Sequence, residues 1–210
     1  MTIAIIGSGN VGGALGRRWA RAGHQVIFGS RDPGADDLKK LVAESGANAR
    51  AATLEDAAKA GEILLFAMPW PPAKQILELL GDLSGKILID TTNPLKAGLS
   101  GLDVGTTTSA AEQVAQWARG AKVVKAFNTV GANVMASPAF GSERPVMFYC
   151  GDDSAAKAKV KPLIDELGFD AIDAGPLTQS RTLEPMALLW ISLAYQQGQG
   201  REIAFKLMRR

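Results

Sequence analysis

The feature that most constrains the fold is the passage from an apolar run into a glycine-rich loop near the start of the chain. Thr2–Ile6 is β-branched and apolar, which is typical of a strand buried on both faces. It leads into the loop Gly-Ser-Gly-Asn-Val-Gly at residues 7–12, and a helical pattern then runs to Ala22. A second strand is predicted at Gln25–Phe28. The G-x-G-x-x-G spacing is informative because it lies inside a strand–helix–strand unit.

The glycines of this loop have separate steric roles in a dinucleotide site. Gly7 permits a tight turn, Gly9 lets the backbone approach a pyrophosphate, and Gly12 lets the helix lie close to the strand. The first turn of the helix presents unpaired backbone N–H groups, which favour a diphosphate. We therefore predict cofactor contacts from the loop residues Gly7, Ser8, Gly9, Asn10, Val11 and Gly12.

The end of the second strand predicts which dinucleotide binds. A site for NAD usually places Asp or Glu there to accept hydrogen bonds from the ribose 2′-hydroxyl. This chain has Ser30 and Arg31 instead, and the guanidinium group suits a phosphate through its planar set of donors. Asp32-Pro33-Gly34 is interpreted as a turn. The sequence therefore favours NADP over NAD, with Ser30 and Arg31 at the 2′-phosphate.

Strands and helices alternate along the rest of the chain. This spacing predicts a doubly wound, mainly parallel α/β sheet of the Rossmann type, with ligands at the carboxyl ends of the strands. We expect one NADP-binding domain over residues 1–210, with a short C-terminal helical elaboration at about 178–210. The further predicted strands are Asn48–Ala51, Glu62–Ala67, Lys86–Asp90, Ala121–Phe127, Val146–Cys150 and Phe169–Asp173, and the further helices cover about 35–44, 53–60, 72–80, 109–117, 153–167 and 178–197.

Three more loops follow strands that are predicted to end at the same edge of the sheet as the glycine-rich loop. From these loops we predict cofactor contacts by Ala67, Met68, Pro69, Trp70, Asn93 and Pro94, and substrate contacts by Asn128, Thr129 and Gly131. The amides of Asn93 and Asn128 suit the carboxamide of a nicotinamide or a second substrate. The alternative, in which each asparagine forms a turn with its own backbone, stays open.

No side chain is predicted to act as a catalytic acid or base. Reduction of a simple carbonyl needs a proton donor, usually His, Tyr or Lys. His24 lies at the opposite end of the predicted sheet, and Tyr149 and Tyr195 lie in apolar runs. Only Lys96 and Lys125 come near the strand ends. No cluster of Cys, His and Asp has the spacing of a metal site.

Composition limits the partners and the cellular compartment that we expect for the protein. A net charge of +2 with no basic stripe argues against nucleic acid, and the longest apolar runs fall short of the roughly 20 residues of a membrane helix. The chain begins inside a strand, so no leader peptide is expected. The one cysteine, Cys150, ends an apolar run and is predicted to be a buried thiol in a reducing compartment. We expect a cytoplasmic protein that binds neither membranes nor nucleic acid.

The segment Met186–Tyr195 is apolar almost all round, which is untenable on the surface of an isolated chain. One face is expected to pack on the sheet and the other on a second copy of the chain. This predicts a homodimer, and it places Trp190 in the contact between the copies.

The chain resembles the NADPH-dependent coenzyme F-420 (deazaflavin) reductase family. The resemblance is carried by six motifs taken together: GSGNVG, GSR, AMPW, TTNP, KAFNT and LEPMALLWISLAY. The same motifs occur in the cytosolic reductase domain of the STEAP metalloreductases. The resemblance runs from Thr2 nearly to Arg210. It implies Ser8, Asn10 and Val11 at the pyrophosphate, Ser30 and Arg31 at the 2′-phosphate, a deazaflavin stacked on the nicotinamide, and a dimer through the C-terminal helix.

The expected activity is hydride transfer between NADPH and a small planar redox partner, with coenzyme F-420 or a flavin as the second substrate. An alternative enzymatic activity is the NADPH-dependent reduction of a flavin, a carbonyl or an imine. The alternative from another class is a non-catalytic NADP(H)-sensing protein whose apolar C-terminal helix engages a partner.

Overall fold

The chain forms one twisted eight-stranded sheet, which a computed structural model describes over all 210 residues. The order of the strands across the sheet is β3-β2-β1-β4-β5-β6-β7-β8. The strands are β1 (Thr2–Ile6), β2 (Gln25–Ser30), β3 (Ala49–Thr53), β4 (Ile63–Phe66), β5 (Ile87–Asp90), β6 (Lys122–Lys125), β7 (Val146–Gly151) and β8 (Asp170–Asp173).

The first six strands are parallel, and their order is that of the Rossmann fold, which confirms the predicted fold class. The order reverses between β1 and β4, where this fold opens a ligand crevice. β7 is antiparallel to β6, and β8 is parallel to β7. The connection from β6 to β7 contains one short helix of five residues, Ala132–Ala136.

Helices cover both faces of the sheet because successive residues of the buried strands point to opposite sides. The helices are α1 (Asn10–Arg21), α2 (Asp36–Ser45), α3 (Leu54–Ala60), α4 (Ala73–Leu80), α5 (Ala110–Trp117), α6 (Ala132–Ala136), α7 (Ser154–Glu166) and α8 (Ser180–Ile191). One core contains Ile3 and Ile5 with helices α1, α2, α6 and α7; the other contains Ala4 and Ile6 with α3, α4 and α5.

Local chemistry explains several boundaries. The side chain of Thr53 accepts the Asp56 N–H at the start of α3, and Ser109 accepts the Glu112 N–H at the start of α5. β6 ends two residues before the predicted Phe127, because the chain leaves the sheet and Phe127 adopts a left-handed conformation with φ of 59°. Helix α6 was not predicted from the sequence. None of the helices is long and apolar enough to cross a membrane.

The C-terminal helix α8 continues as a π-helical turn at Ser192–Gln196. The structure corrects the expectation for Trp190, which is only 5% exposed. Its indole N–H donates to the Ile203 carbonyl at 2.8 Å, so the ring packs within its own chain and not against a second copy. Leu189 and Tyr195 are the large apolar side chains that this segment exposes.

Candidate active site

A cavity of about 530 Å³ lies at the carboxyl ends of β1, β2, β4 and β5, across the reversal of strand order. It brings together most of the predicted cofactor-binding residues: Gly7, Ser8, Gly9, Asn10, Val11, Ser30, Arg31, Ala67, Met68, Pro69, Trp70 and Asn93. Gly29, Leu54, Ile76, Thr91, Thr92 and Leu95 complete its lining.

The glycine-rich loop delivers the start of α1 to this cavity. Gly9 precedes the helix without any side chain capping it, and no acidic residue occupies the first turn. The backbone N–H groups there are thus left for an anion. A Cβ placed on Gly9 would meet no protein atom within 4 Å, so the space beside its backbone is open. The loop therefore fits a diphosphate at close approach.

Gly7 and Gly12 have the steric roles that the sequence predicts for them. Gly7 has φ of +106°, and a Cβ there would come within 2.5 Å of the Ala67 carbonyl oxygen. A Cβ on Gly12 would overlap the Gly7 carbonyl and approach Ile5 to 2.9 Å. Gly12 itself does not line the cavity, so it acts on the loop through the packing of helix on strand.

The corner of the cavity beside β2 has one cationic side chain and no free carboxylate. Arg31 is exposed and makes no ion pair or hydrogen bond within the chain. The Ser30 hydroxyl donates to the Asp32 carbonyl and accepts the Asp32 N–H, both at 3.1 Å. Asp32 closes the predicted turn by accepting the Gly34 N–H at 2.9 Å. This corner fits a ribose 2′-phosphate better than a bare 2′-hydroxyl.

The wall that follows β4, beside the glycine-rich loop, is apolar. Met68, Pro69 and Trp70 follow β4, where the proline prevents further strand pairing. The Trp70 ring stacks on Trp117, with ring centroids 5.5 Å apart and an angle of 29° between the rings. This stacking fixes a flat aromatic surface at the mouth of the cavity, which suits planar rings.

The turn after β5 is tied to the turn after β6 by paired amides. The Asn93 side-chain amide donates to the Asn128 main-chain carbonyl, and the Asn128 side-chain amide donates to Asn93 Oδ1, both at 3.1 Å. Asn128 also donates to the Leu183 carbonyl at 3.0 Å. Asn93 lines the cavity, whereas Asn128 is buried behind it. The side chains of Asn93 and Asn128 thus tie the two turns together.

A buried cluster of charges lies against the same turn. The Lys125 ammonium group contacts Asp90 Oδ2 at 2.9 Å and Glu184 Oε1 at 3.0 Å, and all three side chains are at most 1% exposed. Burial opposes the charge of Lys125, but the two carboxylates outweigh it and raise the lysine pKa above its ordinary value. Burial also raises the pKa of Glu184, against the opposing attraction of Lys125.

Glu184 connects this cluster to helix α5. Its carboxylate accepts the backbone N–H of Ala110 at 2.9 Å and of Ala111 at 3.1 Å. A carboxylate at a helix N-terminus satisfies orphan donors and interacts favourably with the helix dipole. The side chain therefore joins α8, α5 and β6 at a point behind the cavity.

The cavity offers no side-chain proton donor of the usual kinds. Among its lining residues Arg31 is the only ionisable one. His24 pairs with Glu166 at 2.8 Å, away from the cavity, and Lys96 is exposed outside it. Cys150 is fully buried, and burial raises the pKa of its thiol. The chain has no group of three or more His, Cys, Asp or Glu side chains placed to hold a metal ion.

Five of the predicted site residues do not line the cavity: Gly12, Pro94, Asn128, Thr129 and Gly131. Gly131 packs against the ring of Trp190, and Thr129 is buried. The role of Asn128, Thr129 and Gly131 in binding a substrate stays a prediction. Leu54 and Ile76 also line the cavity but were not predicted to do so. Apolar residues near the starts of helices carry no chemical signal. Only their position after β3 and β4 indicates a place at this edge of the sheet.

Known proteins resemble this chain over most of its length. The family described as NADP oxidoreductase, coenzyme F420-dependent, matches residues 2–94. The F420-dependent NADP reductase of Methanothermobacter thermautotrophicus is 31% identical over 210 aligned positions, which cover 92% of this chain and 89% of that protein. A crystal structure from Arthrobacter sp. FB24, proposed to be an F420-dependent NADP reductase, superposes with a TM-score of 0.88 at 33% identity and 99% coverage of both chains.

A second group of relatives is longer than this chain. The metalloreductase STEAP3 of Rattus norvegicus is 29% identical over 186 aligned positions, which cover 89% of this chain. The chain spans only 36% of the length of that protein. The likeness is therefore to one part of the metalloreductase.

Proposed function

Because the chain belongs to the family of coenzyme F420-dependent NADP oxidoreductases, we propose that its hydride acceptor or donor opposite NADP(H) is the deazaflavin coenzyme F420. The observation that carries this proposal is the cavity. It combines a phosphate-binding loop, a flat apolar wall and no His, Tyr or Lys within its lining. A conjugated ring that accepts hydride needs no proton from a side chain in the transfer step, whereas a carbonyl does.

The lining residues bind the two halves of the cofactor at different strands of the sheet. The N–H groups at the start of α1 bind the diphosphate, and Ser30 and Arg31 bind the 2′-phosphate beside β2. The nicotinamide half then extends towards β4 and β5, between Met68 and Asn93. When bound, NADPH supplies the hydride. The chain aligns two planar rings and excludes water, and such alignment accounts for several kcal/mol of a barrier.

The test of this function is hydride transfer from NADPH to a panel of acceptors: coenzyme F420, FMN, a ketone and a cyclic imine. We expect transfer to F420 in single turnover, with a rate that is flat between about pH 6 and 8.5, since no His, Cys, Lys, Tyr, Asp or Glu side chain lines the cavity. A bell-shaped profile with the imine or ketone as the better acceptor would contradict the proposal. Tight binding of NADPH with no transfer to any acceptor would instead indicate a sensor.

The choice of NADP over NAD is tested at Arg31. One charge-assisted hydrogen bond to a phosphate contributes about 1.5–3 kcal/mol, so Arg31→Ala should weaken NADPH about ten- to a hundredfold. Binding of NADH should barely change. Titration calorimetry with both cofactors measures the difference, and Arg50→Ala, an exposed arginine on β3 outside the cavity, is the control. Equal losses for NADPH and NADH would refute the assignment.

We also propose that the protein is a homodimer that meets its partner copy through α8 and the following π-helical turn. Leu189 is 52% exposed and Tyr195 is 56% exposed, and both belong to one apolar segment. Sedimentation equilibrium should give twice 22.1 kDa for the wild type. Leu189→Asp should give the monomer, whereas Leu79→Asp, at a leucine of α4 with 49% exposure, should leave the dimer intact. A monomeric wild type at high concentration would overturn this proposal.

For the organisation and location of the protein, we propose that residues 1–210 act as one NADP-binding unit in the cytoplasm. The continuous sheet, which places all eight strands in one layer, supports a single unit. The single cysteine is a buried free thiol, which fits a reducing compartment.

A further inference from the structure

The binding of NADP does not account for the buried cluster of Lys125, Asp90 and Glu184. None of the three side chains lines the cavity, and all are at most 1% exposed. Apolar side chains of similar size would stabilise the fold as well or better, because buried charges lose their hydration. The contacts of the cluster with the turn after β5 indicate a different purpose.

Both backbone polar groups of Thr92 are bonded to this cluster. The Lys125 ammonium group donates to the Thr92 carbonyl, and Asp90 Oδ1 accepts the Thr92 N–H at 2.9 Å. Thr92 also lines the cavity. Its hydroxyl oxygen is buried and has no hydrogen-bond partner within the chain. Buried polar atoms nearly always have a partner, so the turn holds one polar atom whose partner the chain does not supply.

The turn after β6, which is bonded to the turn after β5, has a strained backbone conformation. Phe127 has φ of 59°, which is costly for a bulky residue and persists only where the surroundings fix it. Its ring packs edge-on against the rings of Trp19 and Phe169, with centroid distances of 5.8 Å and 6.4 Å. The next residue, Asn128, makes the amide pair with Asn93. The turn after β5 is therefore fixed from two sides, by charge and by packing.

We infer that Lys125 is a positioning residue, whose ammonium group fixes the Thr92 backbone so that the turn 91–93 holds the nicotinamide half of NADP. The inference depends on the proposed function, which places the adenosine half beside β2 and hence the nicotinamide half beside β4 and β5. Glu184 keeps the ammonium group in place from the side opposite the turn, while α5 holds Glu184.

The double variant Lys125→Met/Asp90→Asn separates positioning from folding. One positive and one negative group are removed together, so the cluster keeps its net charge of minus one, and the new amide oxygen still accepts the Thr92 N–H. At the turn, only the ammonium bond to the Thr92 carbonyl is lost without replacement. Glu184 also loses its ion pair with Lys125 but keeps its bonds to the N–H groups of Ala110 and Ala111. We expect the affinity for NADPH to fall about tenfold, the value of one charge-assisted hydrogen bond. Affinity for 2′,5′-ADP, which has no nicotinamide half, should stay at the wild-type value.

Leu163→Ala is the destabilised control, because Leu163 is fully buried in α7 and lies outside the cavity. It should bind both ligands as the wild type does. Equal weakening of NADPH and 2′,5′-ADP by the double variant, or unchanged NADPH binding, would overturn the inference. A wild type that binds neither ligand would refute the proposed function instead.

If the double variant does not fold, Glu184→Gln gives the same comparison. It removes the second carboxylate from the ammonium group but keeps the contact between Lys125 and Asp90. NADPH should then weaken by a few fold while 2′,5′-ADP is unaffected. Equal affinities of this variant and the wild type for NADPH would also overturn the inference.

Discussion

Gly9→Ala should abolish most of the affinity for NADPH while leaving the free protein nearly as stable as the wild type. A Cβ at Gly9 would meet no protein atom within 4 Å, and the backbone there is extended with φ of −69°. Alanine is therefore accommodated, at a cost of about 0.5–1 kcal/mol for a poorer helix N-cap. The added methyl group occupies the space through which a diphosphate reaches the N–H groups of α1. Losing two charge-assisted bonds there weakens binding on the order of a hundredfold.

The measurement pairs calorimetric titration of NADPH with thermal unfolding of the ligand-free protein. Gly105→Ala is the matched control, because a Cβ there also meets nothing within 4 Å and the residue lies outside the cavity. It should change neither quantity. Gly12→Ala should do the reverse of Gly9→Ala and destabilise the fold itself, since its Cβ overlaps the Gly7 carbonyl. NADPH binding by Gly9→Ala within about threefold of the wild type would exclude a diphosphate beside Gly9.

The sequence was informative for this loop because its evidence is local. The strand Thr2–Ile6, the glycine spacing and the helix start lie within a dozen residues, and steric rules act over that range. The side chains of Ser30 and Arg31 could be assigned to the cavity for the same reason, since they end a strand whose neighbour is fixed by the βαβ unit. The doubly wound order follows from the alternation of strands and helices.

What the sequence could not supply depends on contacts between distant residues. The antiparallel direction of β7 has no local signal, and the α6 helix that precedes it has five residues and no side-chain cap. The partners of Lys125 lie 35 residues earlier and on the last helix, and no period or motif joins them. Trp190 was misplaced because an apolar helix does not reveal that the tail at Ile203 returns to cover it.

Lys125→Met should cost about 3–5 kcal/mol of the free energy of unfolding, the largest effect on stability that we expect from one substitution in this chain. The change leaves Asp90 and Glu184 buried without their cation and the Thr92 carbonyl without its donor. Urea unfolding of the ligand-free protein measures the loss. Lys161→Met is the control: that lysine pairs with Asp165 at the surface, where solvent screens the pair, so its loss should leave the free energy of unfolding close to that of the wild type.

The loss caused by Lys125→Met should depend on pH in a defined direction. In the wild type, burial already raises the pKa of Glu184, and Lys125 opposes that rise. Removing the lysine lets the carboxyl pKa rise further above its value in the unfolded chain. A carboxyl whose pKa is raised by folding favours the folded state at low pH and loses that contribution as pH rises. The deficit of the variant should therefore be smaller near pH 5.5 than near pH 8, and a deficit that grows on acidification would contradict the buried-charge account.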